Sequence, residues 1–224
     1  MNILLTGASG FVGQYLCAAL DGKGDNLTKL AYHTNNDTQY KCCDVRDYEQ
    51  ISKFVIGQDL VVHLACLSSP ACIKDPNLGF DINVLGTNNV ARACAKHRVD
   101  LLMISTAEVY GHQSSMPISE VVLSKPVSIY GGFKLLAEKC CENWYWHSGL
   151  NYATVRLFNV YGPALNGTPR KTVETIFLRK ALVGETLKVN GGKYNSRDFL
   201  YIDDAVCGLI AAISKFDLVK GSVI

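Results

Sequence analysis

The stretch TGASGFVG occupies residues 6 to 13, directly after the apolar run NILL at residues 2 to 5. Gly7, Gly10 and Gly13 are spaced GxxGxxG between a predicted strand and a predicted amphipathic helix. Because glycine has no Cβ, the backbone at these positions can closely approach a pyrophosphate group at the N-terminus of the helix. The stretch therefore predicts a strand, a glycine-rich turn and a helix of the kind that binds a dinucleotide.

Short β-branched runs alternate with longer segments of helical period, which is typical of βαβ units around a mostly parallel sheet. The predicted strands are residues 2–6, 27–32, 39–42, 60–64, 101–105 and 152–158, and the predicted helices lie near residues 10–20, 48–54, 79–96 and 128–147. We therefore predict an α/β fold with a Rossmann-type doubly wound parallel sheet.

The pattern becomes less regular after Pro163, so we predict a cofactor-binding domain over residues 1–163. A small substrate lobe over residues 164–224 would be interleaved with the last elements of the sheet.

The composition is that of an ordinary globular domain: 224 residues, 48% hydrophobic, 19% charged, with a net charge of +2. This charge does not favour a nucleic-acid-binding protein. No apolar run has the length of a membrane span, and Met1 leads into a strand without a signal-peptide pattern. We therefore expect a cytoplasmic protein with no membrane partner.

Nine cysteines are scattered through apolar segments, without a CxxC motif or a Cys/His spacing typical of zinc sites. We expect reduced, mostly buried thiols and no metal.

The end of the second strand lacks the acidic residue that usually binds the adenosine ribose in dinucleotide sites. Tyr32, His33 and Thr34 stand there instead, so NADP is not excluded as an alternative to NAD. Asp44, in the stretch CDVRD, is a candidate for contact with the adenine amino group. It could also be the N-cap of the helix that follows, and the two roles are compatible.

Tyr130 and Lys134 lie four residues apart in the stretch YGGFK, so a helix would place both side chains on one face. A nearby ammonium favours the phenolate, and we therefore expect Lys134 to lower the pKa of Tyr130. Tyr130 is then a candidate general base near neutral pH. Chance pairs of this kind are common, but the glycine turn and the hydroxyls of Ser105 and Thr106 support this interpretation.

Eight motifs in order make the chain resemble the extended short-chain dehydrogenase/reductases, in particular the NAD-dependent nucleotide-sugar epimerase/dehydratase family. They are TGASGFVG, DVRD, HLAC at residues 63–66, NVLGT at 83–87, STAEVYG at 105–111, YGGFK, RLFNVYGP at 156–163 and RDFLYIDD at 197–204. The resemblance implies a cofactor site, a substrate site and a catalytic set. The implied cofactor residues are Gly7, Gly10, Phe11, Val12 and Gly13 at the diphosphate, Asp44 and Val45 at the adenine, and Leu64, Ala65, Cys66, Asn83, Ser105, Tyr130 and Lys134 towards the nicotinamide.

In this family a sugar hydroxyl, usually at C4, loses its proton to the tyrosine and the carbon gives a hydride to NAD. The resemblance therefore implies that Tyr130 is the base, with Thr106 bound to the same hydroxyl. It also implies that Asn159 and Arg197 meet the diphosphate of the nucleotide sugar.

Glu108 is the candidate for a base at C5, because members that dehydrate or decarboxylate the sugar have glutamate at this position. In an extended segment Thr106 and Glu108 would point the same way. The equivalent of the acid partner found in some dehydratases is Ala107, so elimination, decarboxylation and plain C4 epimerisation stay open. A structural carboxylate bonded to loop backbone is a further alternative.

The chain stops at Ile224, in the stretch KGSVI, where family members continue into further segments of the substrate domain. We therefore keep two other functions open: an NADPH-dependent carbonyl reductase on the same scaffold, and a weakly active or inactive NAD(P)-binding protein. The resemblance also implies a homodimer through the helices near residues 79–96 and 128–147. The second helix has an unusually large apolar surface for packing on one sheet, although the C-terminal lobe could also cover it.

Overall fold

The computed structural model describes residues 1–34, 37–114, 116–165, 172–189 and 196–224. Six parallel strands form the main sheet in the order β3-β2-β1-β4-β5-β6. They are β1 Asn2–Thr6, β2 Asn26–Ala31, β3 Lys41–Cys42, β4 Leu60–His63, β5 Asp100–Thr106 and β6 Tyr152–Leu157. The chain first adds β2 and β3 on one side of β1, and then adds β4, β5 and β6 on the other side. The predicted doubly wound sheet is confirmed, and its crevice for ligands lies at the carboxyl ends of β1 and β4.

Helices cover both faces of this sheet. Their bounds are α1 Phe11–Leu20, α2 Tyr48–Val55, α3 Ser69–Lys74, α4 Pro76–Phe80, α5 Thr87–His97, α6 Ile129–Ser148, α7 Val173–Leu182, α8 Ile202–Ser214 and α9 Phe216–Val219. Successive strand residues point to opposite layers: Ile3 and Leu5 pack in the core with α1 and α8, and Leu4 packs in the core with α2, α5 and α6. Burial on both faces explains why the central strands are continuous apolar runs.

The predicted helix over residues 79–96 is not a single α-helix. Between α4 and α5 the backbone forms a π-helical segment over Asp81–Gly86. Gly86 is needed there because a Cβ would lie 2.7 Å from Cγ2 of Val45. Such wide turns occur often at functional sites, and this one lies beside the crevice.

Residues after Pro163 contribute to two parts of the molecule. The short strands β7, Asn159–Tyr161, and β8, Phe199–Tyr201, pair in parallel and form a separate two-stranded sheet. Helix α8 returns to the main sheet, where Ile202 and Leu209 are buried in the core beside α1. Val223 forms a parallel bridge with Thr154 on the outer side of β6. The division at residue 163 stays a prediction, and residues 166–171 and 190–195 of the predicted lobe lie outside the described residues.

All nine cysteines are free thiols, and five of them are buried. Within the described ranges, no helix is long and apolar enough to cross a membrane. The same residues contain no group of three or more His, Cys, Asp or Glu side chains that could hold a metal ion.

The packing of the glycine turn predicts that Gly13→Ala destabilises the protein. A Cβ at this position would lie 2.3 Å from the carbonyl oxygen of Gly7, which is backbone and cannot rotate away. We expect the free energy of unfolding in urea to fall by about 1–3 kcal/mol. The control is Gly208→Ala on the exposed face of α8, where an added Cβ meets nothing within 4 Å. That change should raise the free energy of unfolding by about 0.4–1 kcal/mol, and equal stability of the two variants would contradict the tight contact.

Candidate active site

The glycine turn leads from β1 directly into the crevice. Gly7 has φ +70°, and a Cβ there would lie 2.6 Å from the backbone nitrogen of Ala65. Gly10 is the N-cap of α1, no side chain caps this end, and the first turn of the helix contains no acidic residue. Phe11 and Val12 in that turn pack against the core. A helix N-terminus without a carboxylate is suited to an anionic diphosphate.

The wall opposite the glycine turn is formed by the residues that follow β4. Leu64 and Ala65 are half-buried and Cys66 is exposed. The buried Asn83 holds this wall through Leu67: its Oδ1 accepts from the Leu67 amide at 2.7 Å and its Nδ2 donates to the Leu67 carbonyl at 3.0 Å. The structure therefore brings the predicted nicotinamide-side residues together, with Asn83 behind them.

Asp44 lies beyond β3 and is bound by a neighbouring guanidinium. Arg46 donates from Nε at 3.0 Å and from Nη2 at 2.6 Å, and these bonds hold the pKa of Asp44 below its usual range. The predicted N-cap role of Asp44 is wrong, because Asp47 caps α2 by accepting from the Gln50 amide at 3.1 Å. Val45 is buried. The adenine roles of Asp44 and Val45 stay predictions.

Lys134 is a buried cation on the helix that carries Tyr130. Ser128 caps α6 by accepting from the Gly131 amide at 3.0 Å, which places Tyr130 in the first turn and Lys134 in the next. Lys134 is only 2% exposed, and burial lowers its pKa. Among the described residues its ammonium has no hydrogen bond and no ion pair, and Nζ is not one of the fully enclosed polar atoms that lack a partner. The side chain is thus buried while Nζ stays accessible, a placement that suits a ligand with hydroxyl oxygens.

The expected lowering of the pKa of Tyr130 is wrong for the ligand-free protein. Burial raises the pKa of Tyr130 well above its usual value, and the neighbouring Cys66 thiol and Glu108 carboxylate raise it further. Burial is the largest cause, because a phenolate loses hydration when it is taken out of water. The phenolate of Tyr130 is therefore disfavoured in the ligand-free protein.

The chain stops being extended after Thr106, so the predicted alternation of side chains is also wrong. Residues Ala107–Tyr110 form a 3-10 helix, which Thr106 caps by accepting from the Glu108 amide at 3.2 Å. Glu108 still reaches the site, because its carboxylate accepts a hydrogen bond from the Ser128 hydroxyl. The carboxylate is therefore bonded to a side chain at the N-terminus of α6 and not to loop backbone.

The cofactor role of Ser105 stays a prediction. Its hydroxyl is buried and donates to Oε1 of Glu138 at 2.5 Å. Arg156 holds the same carboxylate from Nε at 3.0 Å and Nη2 at 2.7 Å. The Ser105 hydroxyl is thus occupied inside the protein. Glu138 was missed in the sequence, although its position four residues after Lys134 places it on the same face of α6.

Asn159 begins β7, and Arg197 lies two residues before β8. The backbone nitrogen and Nδ2 of Asn159 both donate to the carbonyl of Asp198, at 3.3 and 2.8 Å. Arg197 is exposed and donates only to the Ser196 carbonyl, at 2.8 Å, among the interactions of the described residues. The pairing brings the two predicted substrate residues together and leaves the guanidinium accessible.

Comparison with known proteins gives a consistent set of relatives. A sequence model described as the NAD dependent epimerase/dehydratase family matches residues 3–224. UDP-N-acetyl-alpha-D-glucosaminuronate decarboxylase of Bacillus cytotoxicus is 31% identical, with 99% of this chain and 73% of that protein covered. UDP-glucuronic acid decarboxylase 1 of Xenopus tropicalis is 29% identical, with 96% and 54% covered. The solved structure of UDP-glucuronic acid 4-epimerase from Bacillus cereus, in complex with UDP-glucuronic acid and NAD, has a TM-score of 0.88 at 28% identity, covering 100% of this chain and 76% of that one.

The electrostatic interaction between Glu108 and Tyr130 predicts that Glu108→Gln lowers the pKa of Tyr130. The negative charge of Glu108 disfavours the phenolate, so its removal makes ionisation easier. The measurement is the tyrosinate absorbance titration of each protein minus that of the same protein with Tyr130→Phe. Glu120→Gln, which removes an exposed carboxylate outside the site, should leave the titration unchanged. An unchanged or higher pKa in Glu108→Gln would contradict this interaction.

Proposed function

The chain belongs to the NAD-dependent epimerase/dehydratase family, and on that premise we propose that it is an NAD-dependent enzyme that oxidises C4 of a nucleotide-linked sugar. The observation that carries the proposal is the unpaired ammonium of Lys134, on a side chain that is only 2% exposed and lies one helical turn from Tyr130. It provides a donor for the hydroxyls of a ribose at the position where the crevice ends. The solved relative with UDP-glucuronic acid also contains NAD.

The residues of the crevice fit NAD in three places. The Gly7–Gly10 turn and the N-terminus of α1 would hold the diphosphate, Asp44 would face the adenine, and Lys134 would hold the nicotinamide ribose. When bound, NAD accepts a hydride from the sugar and returns it later. The positive charge of the oxidised pyridine also favours the Tyr130 phenolate, which burial alone disfavours.

Two side chains would act on the C4 hydroxyl. Thr106 accepts from the Glu108 amide, so its own O–H can still donate to a sugar oxygen. Tyr130 would take the hydroxyl proton while the C4 hydrogen leaves as hydride, which gives a 4-keto sugar. Arg197 and Asn159 would bind the diphosphate of the nucleotide at the edge of the small sheet.

We propose a UDP-linked uronic acid as the substrate and its decarboxylation as the reaction. The C6 carboxylate of a 4-keto uronic acid lies β to the ketone, so the C5–C6 bond can break with release of CO2 and leave an enolate. A proton is then delivered to C5, and the hydride returns to C4. The carboxyl group of Glu108, held by Ser128 close to Tyr130, is placed to transfer that proton.

Plain C4 epimerisation is the second candidate, supported by the fold of the UDP-glucuronic acid 4-epimerase. It needs Tyr130 and Thr106 but no proton transfer at C5. Reduction of a free carbonyl substrate with NADPH and NAD binding without turnover are the remaining alternatives. The three reactions differ in products and in net consumption of cofactor, and binding without turnover gives no product.

The test is incubation of the purified chain with NAD and UDP-glucuronic acid in deuterated water, followed by NMR and mass spectrometry. Decarboxylation predicts CO2 and a UDP-pentose with one deuterium at C5. We expect Tyr130→Phe to reduce turnover about 100-fold or more, because the base is lost. Glu108→Gln should reduce formation of the deuterated product by a similar factor while the transient reduction of NAD persists. Glu120→Gln is the matched carboxylate control and should retain full turnover.

Other outcomes identify the alternatives. A C4 epimer without deuterium at C5 would overturn decarboxylation in favour of epimerisation. Net oxidation of NADPH with a keto substrate would indicate a reductase. Bound NAD(H) without turnover of any nucleotide sugar would indicate a binding protein, and full activity of Tyr130→Phe would refute the assigned base.

We infer that the chain forms a homodimer through α5 and α6. Leu136 and Trp146 on α6 and Leu85 before α5 are 48%, 76% and 45% exposed, so the residues described after Pro163 do not cover them. Two copies of this apolar surface could pack around a twofold axis. The free thiols, of which Cys42, Cys66 and Cys207 are exposed, support the predicted cytoplasmic location, where thiols stay reduced.

Sedimentation velocity tests the dimer. The unmutated chain should sediment as a dimer, and Leu136→Asp should shift it to monomer by placing a charge in the interface. Leu178→Asp, at an exposed apolar position on α7, is the matched control and should remain dimeric. A monomer for the unmutated chain at micromolar concentration would contradict the proposal.

A further inference from the structure

His63 is the last residue of β4 and is completely buried between two threonines. Its Nδ1 lies 2.7 Å from Oγ1 of Thr6, and its Nε2 lies 3.0 Å from Oγ1 of Thr87. Burial, and then the positive charge of Lys134, lower the pKa of His63 to about 3. The imidazole is therefore neutral near physiological pH, with one N–H and one bare nitrogen.

The hydrogen bonds of the threonines determine which nitrogen carries the proton. Thr87 donates its only hydroxyl proton to the carbonyl of Asn83 at 2.7 Å, so it must accept from Nε2–H of His63. Nδ1 is then bare and accepts from the Thr6 hydroxyl, whose oxygen accepts from the Ala65 amide at 3.3 Å. The opposite tautomer would require the single proton of Thr87 to serve two acceptors.

This series of hydrogen bonds, in which each donor and acceptor is assigned, connects the three segments that form the crevice. Thr6 immediately precedes Gly7 of the glycine turn, and Ala65 belongs to the opposite wall. Asn83 lies in the π-helical segment, and its side chain holds both backbone groups of Leu67 in the same wall. His63, Thr6 and Thr87 are all 0% exposed. None of these three side chains can therefore replace its hydrogen-bond partner with a water molecule.

We propose that His63 is a positioning residue for NAD: as a neutral imidazole with its proton on Nε2, it fixes the glycine turn, the wall after β4 and the π-helical segment at the spacing that the dinucleotide requires. The role acts through Thr6, Ala65 and Asn83, because His63 itself is buried behind the crevice. It rests on NAD as the cofactor and does not depend on which sugar reaction follows.

Thr87→Val tests this role with a side chain of nearly the same shape that cannot accept from Nε2–H. We expect the dissociation constant of NAD, measured calorimetrically on the folded protein, to rise about tenfold, since one buried donor is left unpaired. Thr87→Ser keeps the hydroxyl and should restore the affinity. The matched control is Thr154→Val, because the buried Oγ1 of Thr154 has no hydrogen-bond partner among the described residues. It should leave the NAD affinity unchanged.

A purely structural role would lower stability without changing NAD affinity. The proposal is therefore overturned if folded Thr87→Val binds NAD as tightly as Thr154→Val.

If Thr87→Val does not fold, long-range 1H–15N NMR of the unmutated chain tests the assigned tautomer of His63. The His63 ring should show a protonated Nε2 and a bare Nδ1, unchanged from about pH 5 to pH 8. A proton on Nδ1, or titration in this range, would overturn the assignment, whatever the outcome of the sugar assays.

Discussion

The architecture of the site depends on the close approach of two backbones where the winding of the sheet reverses. The turn at Gly7 lies against the amide of Ala65, at a distance that excludes any side chain. This contact brings the N-terminus of α1 and the residues after β4 to one crevice. The parallel sheet supplies the rest of the geometry, because every strand ends at the same edge. The N-terminus of α1, the wall after β4, the end of β5 and the start of α6 therefore meet at this edge of the sheet.

The electrostatics of the ligand-free site differ from those expected once the cofactor is bound. Burial disfavours the charged forms of both Lys134 and Tyr130, and it dominates in the ligand-free protein. A ribose hydroxyl would give the ammonium a partner, and a pyridinium charge would favour the phenolate. The negative charge of Glu108 disfavours the phenolate of Tyr130. The carboxylate that is proposed to act at C5 therefore makes ionisation of the phenol depend on the positive charge of the cofactor. Binding of NAD as proposed would therefore be coupled by charge to ionisation of Tyr130.

Features with a local cause were predictable from the sequence. The glycine spacing, the apolar runs of the central strands and the four-residue separation of Tyr130 and Lys134 depend only on nearby residues. Other features depend on tertiary partners. The Ser105 hydroxyl turns to Glu138, 33 residues away, and the pKa of Tyr130 is governed by burial. The tautomer of His63 is defined only when Thr6 and Thr87 are seen on either side of it.

The central claim is that the buried ammonium of Lys134 is the receptor for the nicotinamide ribose, with Tyr130 beside it. The most direct measurement is a crystal structure of this chain with NAD and UDP-glucuronic acid. The account predicts Nζ of Lys134 at about 3 Å from a ribose hydroxyl, and the Tyr130 hydroxyl facing C4 of the sugar at hydrogen-bond distance. A pyridine ring bound elsewhere, with Lys134 still lacking a partner, would contradict it.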